Sequence, residues 1–322
     1  MSNSAAGSSR RRRIALSAFL ISTVVLFATI TFSAGSKPAY PTVKFAHLTD
    51  VHLQPGVGFE SDRMLKYSQQ LLDDAVDQIN AMKGVDFVIF TGDLANTPNR
   101  SDLELFAKSA SRLKVPWYWT TGNHNITLGG VSRKTFMSIM NKYNAAVKPE
   151  NAHYSFMKNG FLFIALDGTI SWSWTAHGYF SDKELGFLDK QLAENPKAPA
   201  VIFQHFPVVY PADSKTHEIT NREAYLGVLD RHPNAKALFA GHYHVAKIDK
   251  RNNMLFVTTP SLVQYPNAFR VVTMVKKPSG VTFDIKLVET RLKDVQARSR
   301  DGASDPEQAA GSEKEIKILV EP

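Results

Sequence analysis

Val43-Lys44-Phe45-Ala46-His47-Leu48-Thr49-Asp50-Val51-His52 runs from an apolar, β-rich stretch straight into two metal-ligating side chains. Asp50 and His52 stand two apart, so on an extended segment both face the same side. The same arrangement recurs downstream. Val88-Ile89-Phe90 leads to Gly92-Asp93, residues 115–121 lead to Gly122-Asn123-His124, Val201-Ile202-Phe203 leads to a solitary His205, and residues 237–240 lead to Gly241-His242-Tyr243-His244. Strand ends on one edge of a sheet converge in space, and divalent metals of hard or borderline character take oxygen and imidazole ligands. Asp50, His52, Asp93, Asn123, His205, His242 and His244 offer two carboxylates, one carboxamide and four imidazoles, enough for two metal ions.

Around these strand ends the chain alternates between helical and extended patterns. Helices are expected over 62–82 (apolar Leu65, Leu72, Val76, Ile79), 101–113 with Ser101 as N-cap, 132–143, 181–193 and 221–229. The fourth carries a capping box from Ser181 to Glu184. Strands are expected over 43–49, 85–91, 115–121, 200–203 and 237–240, with a hairpin of 154–157 and 161–166 turning at Lys158-Asn159-Gly160. After Gly241, residues 245–249, 254–259, 269–275 and 281–288 read as a β-meander. This is an α/β pattern whose sheets can pack face to face between helices. The catalytic domain is read as 42–296, and the Ala-, Gly-, Ser- and acid-rich tail 297–322 as disordered apart from a short ordered patch at 316–320.

The first residues carry a location signal. Four arginines, residues 10–13, precede an uncharged apolar run over 14–32, about long enough as a helix to span a bilayer. Residues 1–13 are then a basic segment, 14–32 a signal anchor or a cleavable signal peptide, and 33–41 a linker. Ser33-Ala34-Gly35 could serve as the cleavage site. The anchor fits the length better, and either reading carries the catalytic domain out of the cytoplasm, membrane-anchored or secreted. The 322-residue chain has a formal charge of +8. Leaving out 1–36 and 297–322 leaves 30 basic and 24 acidic residues. That excess of about +6 suits an anionic substrate and is too dispersed for a nucleic-acid surface. With no cysteine, disulfides, thiolate metal sites and cysteine nucleophiles are excluded.

Taken in order, the motifs resemble the signature of the calcineurin-like metallophosphoesterases, D-x-H, G-D, G-N-H-[D/E], H and G-H-x-H, over residues 43–250. Val201-Ile202-Phe203-Gln204-His205-Phe206-Pro207 also resembles that family's apolar strand ending in H-x-P. The resemblance implies a four-layer αββα sandwich, two mixed β-sheets flanked by helices, here preceded by one N-terminal hydrophobic helix. It implies that Asp50, His52, Asp93 and His244 hold one metal. Asp93, Asn123, His205 and His242 would hold the other, and His124 would protonate or stabilise the leaving oxygen. The ions could be Mn, Fe, Zn, Ni or Co. Asn96 follows Gly92-Asp93 where a purple acid phosphatase would place a tyrosine, and so resembles the class III cyclic nucleotide phosphodiesterase branch. Asn125 departs from the family, which has an acidic residue there able to orient His124.

The implied reaction is hydrolysis of a phosphodiester or phosphomonoester by a metal-bridging hydroxide, with no protein nucleophile. The substrate would be a small molecule or a lipid. Asn96, together with Trp172, Trp174 and His177 on the 168–177 loop, are candidate substrate contacts, the tryptophans able to stack on a flat group. The remaining histidines, His47, His153, His217 and His232, read as packed or solvated. Competing readings are a nucleotide or phospholipid phosphohydrolase of the same family, and a non-catalytic membrane-anchored scaffold that keeps the fold.

Overall fold

Val43 and Phe45 face one side of the first strand while Ala46 and Leu48 face the other, and all four are fully buried. A strand buried on both faces needs a layer on each side, and that requirement organises the molecule. The structure is a computed structural model describing residues 40–56 and 62–322. The expected basic segment, the hydrophobic helix over 14–32 and all but the end of the linker lie outside the described residues. Among those described, no helix is long and apolar enough to cross a membrane.

Strands β1 (Thr42–Leu48), β2 (Phe87–Thr91) and β3 (Trp117–Thr120) run parallel in one sheet. The second sheet holds the hairpin of β4 (Tyr154–Lys158) and β5 (Phe161–Ala165), then β6 (Ala200–Phe203) and β7 (Ala235–Ala240). In it β5, β6 and β7 are parallel. The β4–β5 turn is Asn159-Gly160, both at positive φ, as a two-residue hairpin of this hand requires.

Between β1 and β3 the chain crosses over through α1 (Ser68–Ala81) and α2 (Arg100–Ala110), and α3 (Arg133–Tyr143) follows. Leu71, Leu72, Ala75, Val76 and Ile79 of α1 and Phe106 of α2 pack with Leu48, Val88 and Phe90 on the outer face of the first sheet. The side chain capping α2 is Asn99, which accepts from the Asp102 N–H at 2.8 Å, and not Ser101. α4 (Asp182–Glu194) and α5 (Arg222–Asp230) cover the outer face of the second sheet. The capping box of Ser181 and Glu184 closes the start of α4. Between the sheets lies a phenylalanine-rich core in which Phe45 stacks on Phe87 and meets Phe203 and Phe239 edge-on. The layering is therefore two mixed sheets between helices.

Two expectations need correction. The strands after Gly241 are not one meander. β8 (Lys247–Arg251) and β9 (Met254–Thr258) join the second sheet, with β9 parallel to β7. β10 (Ala268–Lys277) and β11 (Gly280–Glu289) cross to the first, where β10 pairs antiparallel with β1. Pairing partners are set by which sheet edge is open, and local sequence does not record that.

The tail is also ordered. α6 (Lys293–Gly302) and α7 (Pro306–Ala310) lead to β12 (Glu315–Val320), which pairs antiparallel with β11 at the sheet edge. Ile316 and Ile318 pack against the inter-sheet core and Val320 is fully buried, while Glu315 and Lys317 of the same strand carry the charges. This strand is the short ordered patch expected at 316–320, and the β11 edge supplies the backbone partners that order it. The domain thus extends through 297–322, within the compact unit Pro38–Pro322.

A chain ending at residue 312 should unfold at measurably lower denaturant concentration than the full domain, and Val320→Asp should reproduce much of the loss. A disordered tail would leave both midpoints unchanged.

Candidate metal centre

β1, β2, β6 and β7 are parallel within their sheets, so the turns that follow them emerge at one end. The turn after β1 lies along the turn after β2: Asp50 N–H donates to the Gly92 carbonyl at 3.2 Å and His52 N–H to the Asp93 carbonyl at 2.8 Å. His124 N–H donates to Asp93 Oδ1 at 2.9 Å, and His242 N–H to Asp50 Oδ2 at 2.9 Å. Each carboxylate thus has one oxygen fixed by backbone, with the other turned inward.

This convergence needs an unusual backbone. Asp50, His52, Asp93, His242 and His244 all have positive φ, between 40° and 71°. Non-glycine residues seldom adopt that region, and it persists where surrounding bonds over-determine it. Gly241 and Gly122 allow the close approach. A Cβ on Gly241 would overlap Thr49 Oγ1 and Asp50 Oδ2, and one on Gly122 would overlap Asp93 Oδ1.

The structure gathers the seven residues singled out by the motifs. Asp50, His52 and His244 form one group and Asp93, His205 and His242 another, with ligand atoms of each group within 4.8 Å of one another. Asp93 Oδ2 lies 3.2 Å from His205 Nε2 and 3.7 Å from His52 Nε2, so one oxygen faces both groups. Asn123 Oδ1 is 3.2 Å from His205 Nε2. Asp50, His52 and His205 are fully buried, and Asp93 and His242 nearly so.

The hydrogen bonds test whether metal ions fit here. His205 Nδ1 sits 2.9 Å from the Thr91 carbonyl, so it carries the hydrogen. Its Nε2 lone pair then faces Asp93 Oδ2, Asn123 Oδ1 and, at 3.1 Å, His242 Nδ1. His244 Nδ1 likewise donates to Gln264 Oε1, leaving Nε2 against Asp50 Oδ1 at 3.1 Å and His52 Nε2 at 3.2 Å. Acceptors pointing at acceptors are repulsive unless a cation lies between them. His52 Nδ1 and His242 Nε2 have no hydrogen-bond partner at all among the described residues. The donor set fits divalent metals.

Electrostatics carries the same imprint. Burial pulls the imidazole of His52 down to about 3. Burial also pulls on His205, but the carboxylates of Asp93 and Asp50 outweigh it and lift the group to about 9. Burial would raise Asp50 and Asp93, yet the facing histidines, His244 for Asp50 and His205 for Asp93, hold both well below the ordinary carboxylate range.

The calcineurin-like phosphoesterase sequence profile matches residues 43–246. The chain belongs to the calcineurin-like phosphoesterase family. Family members use divalent metals and hydrolyse phosphoesters, and this phosphoesterase carries groups able to ligate them. It is 25% identical to a 3′,5′-cyclic-nucleotide phosphodiesterase of Nostoc, over 68% of this chain and 78% of that protein. It is 21% identical to a glycerophosphodiester phosphodiesterase of Enterobacter lignolyticus, over 68% and 77% of the two. A dimetal phosphatase from Danio rerio shares the fold with a TM-score of 0.64 at 17% identity, over 87% of this chain and 99% of the other.

Around the metal-ligand cluster the remaining candidates separate. His124 stands edge-on to His52 with ring centroids 4.7 Å apart, and its Nδ1 donates to the Asn96 carbonyl at 2.6 Å. Asn96, Asn123, His124 and Trp174 line one hollow of about 640 Å³. Trp172 does not join them. It lines a different hollow with Arg133, His153 and Asp167. His177 also lines neither hollow; its Nδ1 meets the Glu218 carbonyl at 3.2 Å. The loop is pinned by the Thr169–Gly178 bridge and by Thr127 Oγ1 donating to the Ser173 carbonyl, which sends its aromatics to different sides.

Asn125 also differs from expectation. Its Oδ1 accepts from the Gly122 N–H at 3.1 Å and the Leu94 N–H at 3.3 Å, so this position braces the metal-ligand loop. What orients the His124 ring is the Asn96 carbonyl. His47, read as a packed strand residue, is fully buried between Thr91 and Thr259 hydroxyls. Two residues were overlooked. Gln264 holds His244, and His217, read as structural or solvated, lies tilted against His242 with ring centroids 4.8 Å apart. Both lie outside any apolar run that would have drawn attention to them.

Replacing Gln264 with Leu should weaken metal binding about 10- to 100-fold by calorimetric titration, the usual cost of losing a partner behind a ligand. Asn125→Asp should keep turnover, because a carboxylate accepts the same two N–H groups. Asn125→Leu should lose about 1–3 kcal/mol in denaturation by leaving them unpaired.

Proposed function

We propose that this phosphoesterase hydrolyses small phosphodiesters carrying a flat or compact leaving group, in the manner of the class III cyclic nucleotide phosphodiesterase branch. The observation that carries this reading is Asp93 Oδ2 facing both imidazole groups beside a hollow lined by His124, Asn96 and Trp174. The names of the cyclic-nucleotide and glycerophosphodiester relatives support it.

Asp50, His52, Asp93 and His244 would hold one divalent ion, and Asp93, Asn123, His205 and His242 the other. Such a pair polarises phosphoryl oxygens and lowers the pKa of water, so that hydroxide is at hand near neutral pH. The chain's own residues do the rest. The fixed oxygens of Asp50 and Asp93 keep the inward ones in place. His124 has Nδ1 engaged by the Asn96 carbonyl, so Nε2 is the atom that passes a proton to the leaving oxygen as the P–O ester bond breaks. Trp174, 70% exposed at the edge of the hollow, offers a face on which a nucleobase can stack.

On location, we read residues 14–32 as an anchor placing the catalytic domain outside the cytoplasm. A mature N-terminus near Ser36 by mass spectrometry would replace the anchor with secretion.

The activity is tested on a panel of cyclic nucleotides, glycerophosphodiesters, lipids and monoesters with metal-analysed protein. Asp93→Asn should lose bound metal and turnover together, and His124→Ala should lower kcat by about 10²–10⁴ while metal content stays unchanged. Full turnover by metal-depleted Asp93→Asn protein would overturn the reading.

A further inference from the structure

Part of the positive charge that looks dispersed along the sequence comes together in space at the end opposite the candidate metal centre. β1, β2 and β3 begin there in the first sheet and β6, β7 and β9 in the second, because the strands of each set run parallel to one another. The two sheets share this end: Asn159 Nδ2 donates to the Thr42 carbonyl and Lys276 Nζ to the Lys197 carbonyl. Lys83, Lys114, Lys197, Arg251, Lys276 and Lys277 stand in its turns and strand ends. None of the six forms an ion pair among the described residues; of the acidic residues on this face, Asp86 is taken by Lys158 at 3.4 Å, and Glu321, whose carbonyl accepts from Lys236 Nζ at 2.7 Å, stands beside Pro322 at the rim of a cavity. Lys197, Lys236, Lys276 and Lys277 line this proline-walled cavity of about 370 Å³.

The chain also enters the fold here. The Lys276 N–H donates to the Pro41 carbonyl at 2.9 Å. The uncharged apolar run of residues 14–32 ends shortly before β1 begins at Thr42.

We propose that this lysine-rich face docks on an anionic lipid surface, leaving the metal centre open on the far side. Charge complementarity selects an anionic partner, and entry of the chain at this face, behind an apolar segment of bilayer length, selects a membrane as that partner. This last step rests on reading 14–32 as a membrane segment, whereas the attraction itself rests only on the described residues. β1 spans seven residues, about 23 Å, from this face toward Asp50, so the docked domain presents its centre to water-borne phosphodiesters.

The test uses residues 38–322, the compact unit, sedimented with vesicles of phosphatidylcholine alone or mixed with phosphatidylglycerol. Sedimentation is expected only with the anionic vesicles, and it should fall at high salt. Lys83→Glu, Lys197→Glu and Lys277→Glu together, all exposed, should weaken it at least tenfold, since each basic residue near such a surface adds about fivefold. The same reversals at Lys66, Lys134 and Lys183, exposed on the helical layers away from this end, should leave it unchanged. Melting temperature and phosphodiester turnover of the first triple variant should match the parent. Equal sedimentation with neutral vesicles, indifference to the first triple reversal, or tighter binding to duplex DNA than to anionic vesicles would overturn the proposal. Turnover is read separately, so such a failure would leave the phosphoesterase reading intact.

Discussion

A single carboxylate oxygen, Asp93 Oδ2, has to face two groups of imidazoles at once, and much of the molecule serves that constraint. Its partner oxygen is tied to the His124 N–H, so the carboxylate cannot rotate away. His52 and His205 approach it from turns in different sheets. The turns around it carry left-handed backbone at Asp50, His52, Asp93, His242 and His244 and glycine at two close approaches. Strain of that kind is held in place by the bonds between turns and by the packed sheets beneath them.

The sheets supply that support through aromatic packing. Phe45, Phe87, Phe203 and Phe239 lock β1, β2, β6 and β7 against one another just below the turns that carry the ligands. Parallel strands put the carboxylate- and imidazole-bearing turns at one end, and the same parallelism puts the entries of those strands at the other, beside Lys83, Lys114 and Lys197. One topological choice thus polarises the domain into an end that carries the carboxylates and imidazoles and an end that carries these lysines.

Much of the fold was legible because its signals are local. Apolar runs marked the strands, Ser181 with Glu184 marked a helix start, and Asn159-Gly160 marked a hairpin. What misled was anything decided by a distant partner. The tail around α6 and α7 looked disordered because it is rich in small and charged residues, and the short ordered patch expected at 316–320 is β12, which the open edge of β11 orders. The strands after Gly241 looked like one meander because sequence does not say which of two sheets a hairpin will join. Asn125 looked like a poor orienter of His124, whereas its side chain serves the Gly122 turn and a backbone carbonyl does the orienting.

The sequence by itself determined the donor chemistry and its order along the chain. Carboxylate, carboxamide and imidazole are properties of single residues, and apolar runs ahead of them announce strand ends. Only the tertiary structure decided how those donors face one another, which neighbours hold them, and where the charge collects. Gln264 behind His244, His217 beside His242, and lysines from separate turns gathered on one face are juxtapositions between segments far apart in sequence. They follow from strand pairing and core packing across the whole chain, and no local pattern encodes them.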